Sequence, residues 1–480
     1  MKSLMLKYNS LPKTVKASLW FTLCSILQKG VSFFTIPIFT RMLSVEEYGI
    51  ISLFGAWQSI LSIFATLNLS YQIFNNGMVK FENDRDGYTI SMLGLSNLAT
   101  VVLFILYLIF HTSLDAVIKL PFEAMVLMFI SFLFSAATSL WTVQQRYIFE
   151  YRWLCVVTLA GTFWAALLGI LLVYWNHVGI SKILADVVIT ILTGVVIYAL
   201  LLKKNRRLFN LTYWKYALKL DLPLIPHYLS MMVLASSDRI MINALCGKSF
   251  TALYSVPYNA SMVMQIIITS INASFIPWTY QKCKDKDYGQ LNSISSVLLI
   301  IIMVITLIPS LFAPELVWIL GDSKYSESMW VVPPVSCSVF FIFLYSMFSN
   351  IELFYNKSSN IMIASIGAAI GNIVLNYIFI SLFGYIAAAY TTLACYIILA
   401  IAHFIFMSRV CRERHILEEI YDKKLIVLVS GLLVFYSIGI TYLFDKPIWI
   451  RYGLVFLIGI FTYFHKSILL KYFSIIKSKR

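Results

Sequence analysis

The stretch QLNSISSVLLIIIMVITLIPSLFA, residues 290–313, contains no charged side chain. A helix needs about 20 mostly apolar residues to cross the hydrocarbon core of a bilayer, and this stretch is long enough. Its backbone polar groups would all be satisfied within the helix, as lipid requires. The stretch therefore predicts a membrane-spanning helix and an all-α integral membrane protein.

Similar apolar runs recur along the whole chain. Of its 480 residues, 60% are hydrophobic and 12% are charged, whereas about a quarter of the residues in soluble domains are charged. The runs predict about 14 transmembrane helices. They lie near residues 17–39, 48–69, 89–111, 122–143, 154–175, 180–202, 223–245, 253–280, 290–313, 329–355, 361–381, 385–406, 425–444 and 448–465.

The basic residues predict the orientation of these helices. With the N-terminus placed inside, 28 of the 37 Lys and Arg residues fall on inner segments and seven on outer segments. Cytoplasmic loops carry such an excess of positive charge. The bias therefore predicts cytoplasmic N- and C-termini, and it explains most of the net charge of +15 without a nucleic-acid partner.

Motifs for metal, cofactor or catalytic chemistry are missing from the sequence. The seven cysteines are scattered without a CxxC pair, and the six histidines form no HExxH motif. There is no Walker A loop and no cluster of acids facing an outer loop. We therefore expect neither an enzyme nor a bound cofactor.

The longest inner connection, Lys203–Asp221, divides the chain. It predicts an N-terminal six-helix bundle over 1–205, a second six-helix bundle over 206–410, and two further helices with a basic cytoplasmic tail over 411–480. Its basic and aromatic residues predict an amphipathic segment lying on anionic headgroups. Each half opens with a span that carries a cation, Lys29 or Arg239. Duplicated halves around a midplane site are the usual plan of secondary transporters.

Lys29 lies near the middle of the first predicted span. A lysine there costs roughly 2.5–3.5 kcal/mol on insertion scales, which favours a wet cavity or an anionic partner. Ser18, Thr22, Ser25 and Ser32 recur with Lys29 at steps of three and four residues and form one polar stripe. The alternative is a helix-packing face, since small hydroxyl residues also mediate helix contacts.

Asp238 and Arg239 lie about two-thirds of the way along the seventh predicted span. His227 is predicted to share a helix face with Asp238, and this pair is a candidate for H⁺ or Na⁺ coupling. The alternative is a structural ion pair with another helix.

Five other polar positions are given structural interpretations. Asp186 and Glu352 lie near span ends and are predicted to reach the interface, and His403 is predicted to be packed or interfacial. Asn372 and Asn376 form an i, i+4 pair whose predicted use is helix packing.

At this point the sequence resembles the bacterial polysaccharide flippases. The segment Phe39–Gly49, FTRMLSVEEYG, looks like the R-x-L-x-x-x-E-Y-G turn that follows the first helix in that family. The later landmarks, in chain order, are Leu222-Pro223-Leu224, Ser237-Asp238-Arg239, Tyr254, Pro314-Glu315, Tyr325, Asn372, Leu375, Asn376, Tyr377, Gly384 and Ala387-Ala388-Ala389-Tyr390-Thr391-Thr392. The resemblance covers roughly residues 17–410.

The family belongs to the multidrug/oligosaccharidyl-lipid/polysaccharide exporter superfamily. The resemblance implies two pseudo-symmetric six-helix bundles around a central cavity in the bacterial inner membrane. It also implies an undecaprenyl-diphosphate-linked oligosaccharide as substrate, with membrane lipids and the polymerase or export machinery as partners. Lys29 and Arg239, with Ser25 and Ser32, are the expected contacts of this anionic substrate.

Three other functions stay open at this point. A cation-coupled multidrug exporter of the same superfamily would prefer an acidic cavity. An O-antigen polymerase would need a large outer loop, which the chain lacks. A lipid scaffold without transport is the third.

Overall fold

The computed structural model describes residues 12–453, 456 and 460, and this part of the chain consists of helices joined by short turns. The α-helices are α1 (Lys13–Met42), α2 (Val45–Ala65), α3 (Gln72–Lys80), α4 (Arg85–Ile118), α5 (Phe122–Tyr147), α6 (Arg152–Asn176), α7 (Gly179–Lys204), α8 (Leu211–Asp221), α9 (Ile225–Leu245), α10 (Lys248–Met262), α11 (Met264–Asp285), α12 (Tyr288–Leu311), α13 (Ala313–Gly321), α14 (Val332–Phe354), α15 (Ser358–Phe383), α16 (Ala387–Glu413) and α17 (Lys423–Gly439). Short 3₁₀ segments occupy Glu82–Asp84, Leu222–Leu224, Ser323–Val331 and Ile440–Leu443.

The helices confirm the predicted all-α membrane fold. Within the described residues, 11 helices are long and apolar enough to cross a membrane, or up to 12 if α10 and α11 form one bent span. Helix α9, the seventh predicted run, is outside this group because Asp238, Arg239 and Asn243 lower its mean hydropathy. The fourteenth run, 448–465, and the basic tail lie largely outside the described residues, so the count of 14 stays a prediction.

Polar side chains at several helix starts satisfy amide groups that the helix itself leaves without partners. The Ser44 hydroxyl accepts a hydrogen bond from the amide of Glu47 at the start of α2. The Asp84 carboxylate caps α4 through the amide of Gly87, and Asp422 caps α17. These caps explain why the helices begin at the polar breaks between the apolar runs.

The described chain forms two compact units. The first contains the chain up to Ser255, with Leu320–Asp322 and Ala369–Tyr385, and the second contains Val256–Ile319, Ser323–Ala368 and the chain from Ile386 onward. The predicted organisation of six, six and two helices stays a prediction.

Within the first unit, α7 packs against both α5 and α6, α1 packs against α6, and α9 packs against α2. A Cβ atom on Gly194 of α7 would lie 2.6 Å from the Cβ of Phe134 on α5. This contact requires glycine, because no side chain can be accommodated between the two helices at that distance.

The family-like segment Phe39–Gly49 covers the end of α1, the turn at residues 43–44 and the start of α2. The Glu47 carboxylate accepts a hydrogen bond of 2.5 Å from the amide of Gly179 at the start of α7. A Cβ on Gly49 would lie 2.1 Å from the carbonyl oxygen of Lys248, so α2 meets the turn between α9 and α10 backbone to backbone. The segment thus joins three parts of the first unit.

Helix α8 lies in the basic connection that was predicted to rest on lipid headgroups. The indole N–H of Trp214 donates to the carbonyl oxygen of Ser91 at 2.9 Å, and the Tyr213 hydroxyl donates to Asp84 at 2.8 Å. The aromatic face of α8 therefore packs on protein, which corrects the prediction for that face.

Asp221, the last residue of α8, is a buried acid outside the candidate spans. It is 0% exposed, and neither carboxylate oxygen has a hydrogen-bond partner among the described residues. Because burial penalises the charged form, it raises the pKa of Asp221 to about 7. The carboxyl is therefore close to changing charge at neutral pH.

This shift predicts how stability changes with pH. Between the ordinary aspartate pKa near 4 and the folded value near 7, the folded state holds a proton that the unfolded state has lost. Stability should therefore fall as pH rises through this window. We expect the unfolding temperature of the purified protein to drop by a few degrees from pH 5 to pH 8, and Asp221→Asn to remove most of this drop. Asp285→Asn, at an exposed position, is the control, and an unchanged slope in Asp221→Asn would contradict the prediction.

Candidate functional site

The polar stripe of α1 lies on an exposed face of the helix. Lys29 and Ser32 are exposed and Ser25 is half-buried. No described residue forms a hydrogen bond or ion pair with the Lys29 ammonium group. The described part of the chain therefore leaves the stripe uncovered, as a ligand-binding face requires.

A cavity of about 440 Å³ lies in the first unit between α1, α5, α6 and α7. This volume falls within the range of ligand pockets, about 300–1,000 Å³. Ser32 is on its wall, whereas Ser25, Lys29 and Arg239 are not. Lys29 lies one turn before Ser32 on the same helix face, about 4.5 Å away along the axis.

The cavity wall is rich in hydroxyl groups. They come from Ser32, Thr35, Ser135, Thr138, Thr142, Thr158, Thr162, Thr190 and Thr193. Several donate to backbone carbonyls of their own helix; for example, Thr162 donates to the carbonyl of Thr158 at 2.9 Å, and Thr190 to that of Asp186 at 2.8 Å. A hydroxyl that donates in this way keeps lone pairs free to accept hydrogen bonds. The wall is thus suited to a ligand with many hydroxyl donors, such as a sugar.

Lys182 and Asp186 form an ion pair on the same wall. Both lie in the first two turns of α7, where the i, i+4 spacing places them on one face. The Lys182 ammonium also lies 5.2 Å from the centre of the Phe39 ring. Asp186 was predicted to lie near a span end and to reach the interface; its side chain is half-exposed, and it also lines the cavity.

Arg239 is half-buried on α9, the helix that packs against α2. Its guanidinium donates to the carbonyl oxygen of Ala235 at 3.0 Å and interacts electrostatically with Tyr48. It therefore lies at the α2 contact, away from the wall of the hydroxyl-lined cavity. The structure does not bring Arg239 and Lys29 into one contact.

Asp238 is fully buried at the centre of a hydrogen-bond network in the first unit. It accepts from the Tyr254 hydroxyl at 2.5 Å and from the Asn376 amide at 3.2 Å. The amide of Asn376 also donates to Asn372, which accepts from Ser237 at 2.8 Å. Landmarks quoted separately from the sequence thus meet at one carboxylate, and Asn372 and Asn376 do more than pack helices together.

His227 is half-buried in the first turn of α9. Eleven residues separate it from Asp238, which is about 16 Å along a helix. The prediction of a relay between these two residues therefore fails for direct proton transfer, because the two side chains are too far apart to share a hydrogen bond.

Asp238→Asn is expected to destabilise the first unit. The two carboxylate oxygens of Asp238 accept hydrogen bonds from Tyr254 and Asn376. Asparagine replaces one of these oxygens with an NH₂ group, which donates and therefore cannot accept from Tyr254 or Asn376. A buried group left without a partner costs about 1–3 kcal/mol, so we expect a lower unfolding temperature in detergent. Ser237→Ala, which removes only an outer member of the network, should have a smaller effect. If Asp238→Asn unfolds at the wild-type temperature, the network has no stabilising role.

The chain also matches known proteins. A model of the family described as polysaccharide biosynthesis protein matches residues 14–282, more than half of the chain. The chain belongs to this family. This polysaccharide biosynthesis protein is similar to Lsg locus protein 1 of Haemophilus influenzae, with 23% identity over 325 residues. The aligned region covers 65% of this chain and 77% of that protein.

Two solved structures show the fold of this polysaccharide biosynthesis protein. One is the lipid II flippase MurJ in an inward closed conformation, with a TM-score of 0.66 and 15% identity over 94% of this chain and 100% of that one. The other is an inward-facing multidrug resistance transporter of the MATE family, with a TM-score of 0.63 and 15% identity over 82% of this chain and 96% of that one. The protein therefore has the fold of the multidrug/oligosaccharidyl-lipid/polysaccharide (MOP) exporter superfamily, as the sequence predicted.

Proposed function

We propose that this protein is a flippase that moves an undecaprenyl-diphosphate-linked oligosaccharide from the cytoplasmic to the outer leaflet of the bacterial inner membrane. The observation that carries the proposal is the hydroxyl-lined cavity in a membrane-embedded unit, with the exposed Lys29 one helical turn from its wall. The family match to polysaccharide biosynthesis proteins supports the substrate class.

The chemistry of the substrate accounts for both the hydroxyl groups of the cavity wall and the two cations, Lys29 and Arg239. A sugar offers many hydroxyl donors, which the oxygens of the cavity wall can accept. A diphosphate is anionic, and a lysine serves as a flexible point charge for phosphate, while an arginine adds a bidentate fork. In this proposal Lys29 and Arg239 hold the diphosphate at successive stages of transport. The lipid tail stays in the bilayer.

The ion pair on the cavity wall bears on the multidrug alternative. Because Lys182 neutralises Asp186, the wall has no net negative charge. A cationic drug would therefore find no uncompensated acid there, and the neighbouring Lys29 would repel it. The charge arrangement favours a neutral or anionic ligand.

Two finer parts of the proposal concern orientation and coupling. Both termini are placed in the cytoplasm by the distribution of Lys and Arg residues. The transport cycle uses alternating access driven by an H⁺ or Na⁺ gradient, and the buried carboxylate of Asp238 is a candidate for cation binding.

The direct test uses the purified full chain in lipid vesicles. An undecaprenyl-diphosphate-linked disaccharide is incorporated into both leaflets, and its transfer between them is followed with a membrane-impermeant reagent that modifies accessible sugar. We expect transfer only in vesicles that contain the protein. A cationic dye serves as the second probe: transport of the dye without transfer of the lipid-linked sugar would replace the flippase with the multidrug exporter.

A further inference from the structure

Glu352 and His403 form a buried acid–base pair in the second unit. Glu352 lies in the last turn of α14 and His403 lies in α16, and these two helices pack closely together. The Nδ1 atom of His403 is 2.8 Å from a carboxylate oxygen of Glu352, and the two side chains are 1% and 0% exposed. The prediction that Glu352 reaches the interface is therefore wrong.

The surroundings of the pair are mostly uncharged. From α14 the ring of Tyr345 stacks on the imidazole of His403 at 5.6 Å, and Tyr396 of α16 stacks on the other side of Tyr345. From α15 the side chain of Asn360 approaches Glu352, whose second carboxylate oxygen is buried without a hydrogen-bond partner among the described residues. Within the part of the chain that the structure describes, His403 is the titratable group that interacts electrostatically with Glu352.

The helices packed around α14 contribute neutral polar groups. Asn272 of α11 donates to Ser346 at 3.1 Å, and the hydroxyls of Tyr288 and Tyr355 are 3.1 Å apart. Before α17, the Tyr421 hydroxyl donates to the carbonyl oxygen of Met347 at 3.0 Å.

Charged side chains occur beyond the end of α14. Lys357 forms an ion pair with Glu413 at 2.8 Å, and the guanidinium of Arg414 lies 5.3 Å from the centre of the Tyr355 ring. From α17, Lys423 is paired with Glu419 at 3.3 Å. Both members of the acid–base pair are thus buried, and among the described residues no third charged side chain is recorded in contact with them.

Charge balance then fixes the number of protons on the pair. With no proton shared between them, the carboxylate and neutral imidazole have a net charge of −1; with one proton the pair is neutral; with two it is +1. A net charge in a sealed apolar site is costly, so the closed state favours one proton. Opening the site to water removes this penalty, and the pair can then exchange its proton. In this step one N–H or O–H bond of the pair breaks and one O–H bond forms on a water molecule, or the reverse.

We propose that Glu352 and His403 form a proton-binding site that exchanges one proton with water when α14 and α16 separate, and thereby links the transport cycle to a proton gradient. The link to transport rests on the proposed flippase function, whereas the binding of the proton does not.

The first arm of the test measures proton binding without any substrate. The purified full chain in lipid vesicles is titrated through the neutral range, where histidine ordinarily changes charge near pH 6.5, and released protons are counted with a soluble pH indicator. We expect Glu352→Gln and His403→Gln each to alter the curve by up to one proton per chain. Glu123→Gln and His111→Gln, at exposed positions, control for the loss of an ordinary acid or base. Because the two variants remove different partners of the pair, the titration of one variant still tests the site if the other variant fails to fold.

The second arm measures transfer of the undecaprenyl-diphosphate-linked disaccharide under a pH difference. For one coupled proton, a difference of one pH unit changes the equilibrium ratio of lipid-linked sugar between the two leaflets by about tenfold. We expect the wild type to show this dependence and both variants to lose it. Wild-type protein that transfers no lipid-linked sugar would contradict the flippase function alone. Variants that keep the wild-type titration and the wild-type response to pH would overturn the proton site and leave the flippase function standing.

Discussion

Replacing both Lys29 and Arg239 with alanine is expected to stop the export of surface polysaccharide while the protein still inserts into the membrane. A hydrogen bond to a charged group contributes about 1.5–3 kcal/mol, so each lost cation should weaken diphosphate binding by about tenfold to a hundredfold. The Lys29 ammonium has no described partner to lose, so its removal should not unfold the chain. Lipid-linked units should then accumulate on the inner leaflet.

The measurement compares surface polysaccharide and lipid-linked units in a bacterium whose own flippase is deleted. Lys29→Arg and Arg239→Lys are the matched controls, because they keep the charge and change only its shape. Both should retain more output than the alanine variants. Wild-type polysaccharide output from the double alanine variant, at normal protein levels, would leave both cations with structural roles only.

Gly49→Ala is expected to cause a large loss of stability for a local steric reason. The added methyl group would lie 2.1 Å from the carbonyl oxygen of Lys248, and a backbone atom cannot rotate away as a side chain can. The turn between α9 and α10 would have to move off α2, and Gly247 holds that turn at a φ of 106°, a conformation that favours glycine. Overpacking of this kind typically costs 1–3 kcal/mol, occasionally more.

Gly55 provides a control on the same helix. No heavy atom lies within 4 Å of the position of its Cβ, and alanine is the better helix former by about 1 kcal/mol. Gly55→Ala should therefore unfold at the wild-type temperature or slightly above it, while Gly49→Ala unfolds well below it. Equal unfolding temperatures for the two variants would show that the contact at Lys248 relaxes without cost.

The apolar runs predicted most helices correctly because lipid imposes a simple length and composition on each span. Lys29 could also be identified from the sequence alone, because a charged residue within an apolar run is uncommon and costly. The residues of the Asp238 network were predicted only in part. Asp238, Tyr254, Asn372 and Asn376 all belong to the family-like motifs, but their hydrogen bonds to one another depend on the packing of separate helices.

The pair of Glu352 and His403 could not be read from the sequence. The two residues are 51 positions apart, and their contact depends on the rotation and register of α14 against α16, which apolar composition does not fix. The pair of Lys182 and Asp186 had a signal in its i, i+4 spacing. That signal was missed because Lys182 was counted with the outer segments, although it lies within the predicted run 180–202.

The packing of α1 on α6 has a consequence for how the protein is made. Between the end of α1 at Met42 and the start of α6 at Arg152, the ribosome must add 110 residues. At about 5–20 residues per second this takes roughly 5–20 s. During that interval the nascent first helix, with Lys29 in its middle, has none of its α6 contacts. Until α6 is synthesised, the face of α1 that later packs on α6 must therefore be covered by lipid or by the translocon, and slower translation of residues 43–152 would prolong this stage.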